Sequence, residues 1–417
     1  MLWHSGGVIL VAHPFGNANV RAVLAALHRE GLLAKYVTAL GWSRTSPLLR
    51  FVPERQRQEL ARRSYDLPPE KIEVFPGREI VRLAAGQMRM PALVEHERGW
   101  ASIDRVWQEL DRRAADYLQH PAHVGAVYAY EDCALQLFKA ARELGIRRIY
   151  DLPIAYWETA QRLLREEAER YPEWEPTLGG TRDSEEKLAR KTEELELAEL
   201  VICPSNFVLD SLPASALATK RCVMVPFGSP VVTQPEEHHR TDGRLRVLFA
   251  GALTQRKGLA DLFAAMKLLG SAPIELVVMG SLLRPLAWYR EQLPNFTYEP
   301  PRPHAEVLRL MRSCDVFVLP SLVEGRALVQ QEAMACGLPL LATKNAGGDD
   351  LISEGETGFL LPIRSPKALA EKISWCAANR ASISGMGIAA QRRAAEFTWR
   401  GYGEKILAAI RDLTAAA

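Results

Sequence analysis

P-S-L-V-E-G-R-A-L-V-Q-Q-E-A-M-A-C-G-L-P, residues 320–339, lies between two short apolar runs, D-V-F-V-L at 315–319 and the run at 339–343. Both runs are β-branched with few polar breaks, as in strands covered on both faces of a parallel sheet. The stretch therefore reads as strand, turn, helix, strand, with the helix predicted from about Gly325 to Cys336 and closed by Gly337. The same alternation runs in both directions. Strands are predicted at 7–12, 124–128, 147–152, 200–203 and 222–225, and again at 245–250, 274–279 and 358–361. Helices are predicted at 19–30, 131–144, 258–269 and 365–378, with Gly31, Gly145 and Gly270 just past three of the helix ends. This predicts an α/β protein with two doubly wound parallel sheets.

The 417 residues suit two such units, and the polar, proline-bearing stretch 229–243 is the expected linker between them. The expected units are 1–228 and 244–385. Helices at 386–417 are candidates to pack back on the first unit. The formal charge is +2, which gives no electrostatic footprint for nucleic acid. No apolar run reaches the roughly 18 residues of a membrane helix. The opening M-L-W-H-S-G-G-V-I-L-V-A-H-P has no basic residue before its apolar run and reads as a buried strand, not a signal peptide. Six scattered cysteines form no C-x-x-C pair, which fits a reducing, cytoplasmic setting.

Within 320–339, Glu324 stands at the turn and Glu332 eight residues on, about 12 Å along a continuous helix. Carboxylates so far apart cannot share one proton, but they can grip two ends of an elongated ligand. Between them a helix N-terminus offers N–H groups at Arg326, Ala327 and Leu328, an anion site. F-A-G-A-L-T-Q-R-K-G (249–258) adds Gly251 for close backbone approach, and Arg256 and Lys257 where a strand ends in an open α/β sheet. These cations can neutralise a departing diphosphate, and no D-x-D metal motif accompanies them. A sugar nucleotide is the ligand such an arrangement fits, with neither metal nor cofactor.

These motifs, together with L-V-I-C-P-S-N-F (200–207), V-P-F-G (225–228), A-G-G-D-D-L-I (346–352) and G-F-L-L-P (358–362), resemble the family-4 glycosyltransferases, retaining enzymes of the GT-B fold. The resemblance covers roughly 200–365. It implies that Glu332 holds the ribose, Glu324 the donor sugar and Lys257 the diphosphate, with amides near Ala327 and Leu328 completing the cradle. It also implies transfer to a glycan, lipid-linked or small-molecule acceptor with retained configuration. Two positions depart from the family: Ala252 stands where relatives have an arginine, which passes that role to Arg256, and Arg326-Ala327 follows the first Glu-Gly. Arg326 is expected either as a third cation at the phosphate or as a solvent-facing residue.

The first unit is read more thinly. In H-P-F-G-N-A-N-V-R (13–21), Gly16 is expected to face the donor phosphate, as in relatives, Asn17 or Asn19 to cap the helix, and His13 to contact acceptor or phosphate. R-I-Y-D-L-P-I-A-Y-W (148–157) has Asp151 near the place where relatives keep a histidine; Glu131 and Asp132 are further candidates. Six tryptophans (Trp3, Trp42, Trp100, Trp107, Trp157, Trp174) precede residue 200 and are candidates to stack on an acceptor sugar, with core packing the commoner role. The arginine-rich segment 43–63 is either a solvated helix or a contact to an anionic membrane surface. A sugar-nucleotide epimerase and a non-catalytic sugar-nucleotide-binding protein are the alternatives on the same fold.

Overall fold

The computed structural model describes residues 7–44, 63–119, 123–230 and 243–415. Most of the linker at 229–243, most of the segment 43–63, and Trp3 lie outside the described residues.

Two all-parallel sheets organise the chain. The first has strands β1 (Val8–Ala12), β2 (Leu33–Thr38), β5 (Ile72–Val74), β6 (Val124–Tyr130), β7 (Arg147–Asp151), β8 (Leu200–Cys203) and β9 (Arg221–Met224), in the order β5-β2-β1-β6-β7-β8-β9. Two-residue strands β3 (Trp42–Ser43) and β4 (Ser64–Tyr65) pair beside it. The second sheet has β10 (Leu245–Ala250), β11 (Ile274–Met279), β12 (Thr297–Glu299), β13 (Val316–Leu319), β14 (Leu340–Thr343) and β15 (Gly358–Leu361), in the order β12-β11-β10-β13-β14-β15. Each order reverses beside its first strand, at β1/β6 and at β10/β13. Ligands of open α/β sheets bind outside the strand C-termini at such reversals.

Burial explains the apolar runs. Val247, Leu248, Phe249, Val277, Val278, Phe317 and Val318 are wholly enclosed, because helices cover both faces of the second sheet. Gly31, Gly145 and Gly270 all have positive φ past their helices. The helices used below are α1 (Ala18–Arg29), α2 (Trp157–Arg170), α3 (Leu259–Leu269), α4 (His304–Arg312), α5 (Leu328–Ala335), α6 (Pro366–Ala378), α7 (Arg380–Ala395) and α8 (Trp399–Ala415).

The chain does not divide cleanly at its linker. α7 packs on the second core, through Ile383, Met386 and Ala390, whereas Tyr402, Ile406 and Ile410 of α8 lie in the first core with Val20, Val23 and Leu27 of α1. Between β7 and β8, the segment 171–178 leaves the first unit and inserts Trp174 into the second core, against Phe263, Trp288 and Tyr289. Trp174 is therefore a core residue of the other unit and not a platform for an acceptor. Leu163 and Leu164 of α2, Leu178 and Phe207 pack on Leu322 and Val323, so an apolar cluster joins the units directly before Glu324.

Candidate functional site

The two loops that follow β10 and β13 form the centre of the site. Thr254 caps a single 3-10 turn, Gln255–Lys257, its hydroxyl accepting from Arg256 N at 3.1 Å. That turn presents Arg256 and Lys257 to the neighbouring loop. Arg256 accepts from Leu322 N through its carbonyl at 2.9 Å and donates through Nη1 to Val323 O at 2.8 Å, so it staples the two loops together. Gly251 (φ +150°) leaves room for the lysine stem: a Cβ there would stand 2.8 Å from Lys257 Cδ.

Glu324 Oε1 receives Lys257 Nζ and, at 3.1 Å, Arg256 Nη1. Both Lys257 and Glu324 are buried. Burial works to raise the Glu324 pKa, but Arg256 and Lys257 outweigh it and hold the carboxyl below its ordinary value. Burial lowers the Lys257 pKa, and Glu324 offsets part of that effect. The cluster carries two cations for one carboxylate, an excess of one positive charge.

The helix after Glu324 differs from the sequence expectation. It begins at Leu328, not Gly325, with Ala327 at the N-cap in extended backbone. Gly325 is held by the other unit: Ser205 Oγ donates to its carbonyl at 2.6 Å, and a Cβ at Gly325 would overlap the Pro153 carbonyl. Ala327 N is not open to a ligand either, since it donates to Ala346 O at 3.3 Å. Among the described residues, Leu328 N donates to no backbone carbonyl, so the open N–H end of the helix starts at Leu328.

Arg326 neither reaches toward Lys257 nor faces solvent, contrary to both expectations. Its guanidinium is enclosed, bonded to Asp350 Oδ1 at 2.6 Å and Gln331 Oε1 at 2.9 Å. It stands over the Phe397 ring at 5.1 Å, and its role is to fix the loop before α5. Glu332 does not join the Lys257 cluster. It is half-buried and meets His304 Nε2 at 3.0 Å, a residue at the start of α4 that no motif in the sequence singled out.

The first unit meets this site through residues that follow β7 and β8, Pro153 and Ser205 against Gly325. Gly16 lies in the β1–α1 loop, its carbonyl accepting from Arg21 Nε at 2.7 Å. Asn17 occupies the N-cap of α1, but its side chain makes no capping bond. His13 is wholly buried, with its pKa pushed down to about 3 by burial. Its Nδ1 accepts from Phe15 N at 3.1 Å, which puts the proton of the neutral ring on Nε2, an atom with no partner among the described residues. Asp151 is buried at the end of β7 beside Tyr128 and Tyr402, with its pKa raised to about 7 by burial, partly opposed by Tyr128. Glu131, also raised to about 7 by burial, lies 3.4 Å from Lys191, and Asp132 is equally close to that lysine. One group that could hold a metal ion, His96, Glu97 and Asp183, is present among the described residues; Lys187 already contacts Asp183 at 3.0 Å.

Residues missed by the sequence reading connect the cation loop to α2. Gln255 Nε2 donates to Glu167 Oε1 at 2.6 Å, and Thr254 Oγ1 donates to Thr177 O at 2.6 Å. Arg364 pairs with Glu166 and Glu167, both at 2.8 Å, and Arg170 with Asp261 of α3 at 2.8 Å. Glu167, Gln255 and Asp261 are fully buried. No local pattern marks them, because each partner is distant in sequence.

Residues 232–393 match the family model described as glycosyl transferases group 1. A D-inositol 3-phosphate glycosyltransferase of Arthrobacter sp. (strain FB24) is 31% identical over 169 residues, 38% of this chain and 40% of the relative. An uncharacterized glycosyltransferase of Methanocaldococcus jannaschii is 28% identical over 173 residues, 40% of this chain and 46% of the relative. The chain thus spans less than half the length of these curated relatives. Among solved structures, sucrose-phosphate synthase from Thermosynechococcus elongatus aligns with a TM-score of 0.64 at 18% identity, covering 99% of this chain and 100% of that one. Anabaena HepE in complex with UDP aligns at 0.61 and 16%, covering 97% and 100%. The fold is GT-B. The family-model match falls on the second unit, the one that carries Lys257, Glu324 and Glu332.

Proposed function

We propose that this protein is a retaining glycosyltransferase that moves a sugar from a nucleoside diphosphate donor to an acceptor hydroxyl, with fixed cations in place of a metal ion. The observation that carries the reading is the convergence of Lys257 and Arg256 on Glu324 at the reversal of the second sheet. The names of the relatives and the UDP complex of the HepE neighbour support a sugar-nucleotide donor.

In this reading the diphosphate lies between Lys257, Arg256 and the start of α5. The entering phosphate replaces Glu324 as partner of the cations, and the freed carboxylate accepts hydrogen bonds from donor-sugar hydroxyls. Glu332, oriented by His304, holds the ribose. As the glycosidic bond breaks, negative charge grows on the leaving phosphate oxygen. Lys257 and Arg256 meet that charge already in place, so little reorganisation is needed. The same oxygen takes the acceptor proton on the face where the new bond forms, which retains configuration without a protein nucleophile. The acceptor, a glycan, lipid-linked or small hydroxyl compound, approaches from the β1/β6 reversal of the first unit. Enclosure between the units keeps out water, the competing nucleophile. A cytoplasmic enzyme, in peripheral contact with a membrane where the acceptor is lipid-linked, suits this chemistry, and no helix among the described residues is long and apolar enough to cross one.

The test is a calorimetric screen of UDP- and GDP-sugars followed by mass spectrometry of products. Transfer to an added acceptor supports the reading. An isomerised donor formed without acceptor points to an epimerase, and binding of neither nucleotide points to a scaffold.

A further inference from the structure

The β1–α1 loop, whose Gly16 is the first unit's candidate contact to the donor phosphate, also borders a second feature. Pro14, Phe15, Gly16, Asn17, Arg21, Leu40, Arg44 and Arg63 line an open cavity of about 680 Å³. Among the described residues, this lining has three guanidinium groups and no carboxylate. The N-terminus of α1 opens into the same cavity, with no side-chain cap and no acidic residue in its first turn.

The arginines are positioned, not loose. Arg21 donates to the Gly16 and Ser64 carbonyls and stacks over Tyr65 at 4.7 Å. Arg63 donates to Glu79 at 2.8 Å, and Glu79 is also held by Arg82. Arg44 meets Asp66 at 3.3 Å in an exposed pair. Each guanidinium has five donors, so Arg44 and Arg63 keep N–H groups beyond those these pairs use. A fork of this kind matches the oxygens of phosphate or carboxylate.

We propose that this cavity binds the anionic group, phosphate or carboxylate, of the acceptor substrate, which sets the acceptor hydroxyl toward the donor. The proposal rests on the glycosyltransferase reading above and narrows its acceptor to an anionic compound. Arg44 and Arg63 are then specificity-determining residues. Their contribution weakens with added salt, because Arg44 is largely exposed.

The test uses the full chain saturated with UDP. Calorimetry compares glucose 6-phosphate, inositol 1-phosphate and glucuronate with neutral glucose and inositol. A parallel arm measures co-sedimentation with phosphatidylglycerol vesicles against phosphatidylcholine vesicles. At least one anionic probe should bind at least about tenfold more tightly than its neutral parent. Arg44→Gln and Arg63→Gln should each lower that affinity about fivefold or more, with melting temperature and UDP affinity retained. Binding to the soluble probes assigns a soluble acceptor; binding to phosphatidylglycerol alone, lost in both variants, assigns a lipid headgroup. Equal binding of neutral and anionic probes, no binding in either arm, or variants that bind like wild type would overturn the proposal. So would a parallel fall in UDP affinity, which would give the cavity to the donor phosphates. Should the wild type bind an anionic probe but not UDP, the donor reading fails while the anion site stands.

Discussion

Replacing Lys257 by methionine removes one cation from the cluster and keeps most of the volume of the stem. A preorganised donor aimed at a developing oxyanion is worth about 3 kcal/mol of barrier, roughly a hundredfold in rate. Lys257 is buried, so bulk water cannot replace it readily, and the loss should lie toward a few hundredfold in kcat. The protein should stay folded, because Arg256 still meets Glu324 at 3.1 Å and the carboxylate is not left alone. Glu324→Gln supplies the partner measurement. Both single variants break the same Lys257–Glu324 pair, which the double variant loses only once, so the two stability losses should be less than additive, by about 1–2 kcal/mol. Initial rates of transfer with the best donor, and urea unfolding of the four proteins, measure both effects. A folded Lys257→Met enzyme within threefold of wild-type kcat would refute the role given to this lysine, and strictly additive stability losses would refute the coupling.

Glu332→Ala should weaken UDP binding by about tenfold by calorimetry, and His304→Ala by less, because His304 acts through the glutamate; equal affinity in all three proteins would remove Glu332 from the site. Arg326→Met leaves Asp350 without its buried partner and should cost about 3–5 kcal/mol in urea unfolding, although the arginine makes no bond to Lys257 or Glu324. Asp151 has a folded pKa raised to about 7, so its burial imposes a penalty that grows as pH rises from its ordinary value of 3.8 to about 7. Asp151→Asn should therefore gain stability relative to wild type between pH 5 and pH 8; parallel melting curves for the two proteins across that range would contradict it. Trp174→Ala should destabilise by about 3–5 kcal/mol through the cavity left beside Phe263 and Trp288, and a loss below 1 kcal/mol would show that the insertion is loosely packed.

The apolar strands were legible because burial on both faces of a parallel sheet leaves almost no polar residue in them; 200–203, 245–250 and 274–279 were read to the residue. Three strands of the two large sheets were missed. L-A-K-Y-V-T at 33–38 is interrupted by a lysine, and Ile72–Val74 and Thr297–Glu299 have three residues each, too few for a period. In the candidate site, Arg256, Lys257 and Glu324, which the structure brings together, could be singled out because they sit in recognisable loops beside strand ends. The start of α5 was misplaced by three residues because contacts from afar, Pro153 and Ser205 against Gly325 and Ala346 against Ala327, hold 325–327 out of the helix. Arg326 was misread for the same reason: its partner Asp350 is 24 residues away. His304, Glu167 and Gln255 had no local signal at all.

The insertion of Trp174 bears on how this protein can be dissected. A fragment begun at Gly243 would contain every strand of the second sheet, yet it would lack the indole that Phe263, Trp288 and Tyr289 surround. Such a fragment would open a hole the size of a tryptophan in its own interior, and would also strip Gln255 of Glu167 behind the cation turn. The second unit is thus completed by a piece of chain made earlier in synthesis, and the two halves must meet before either its core or the cation turn is finished.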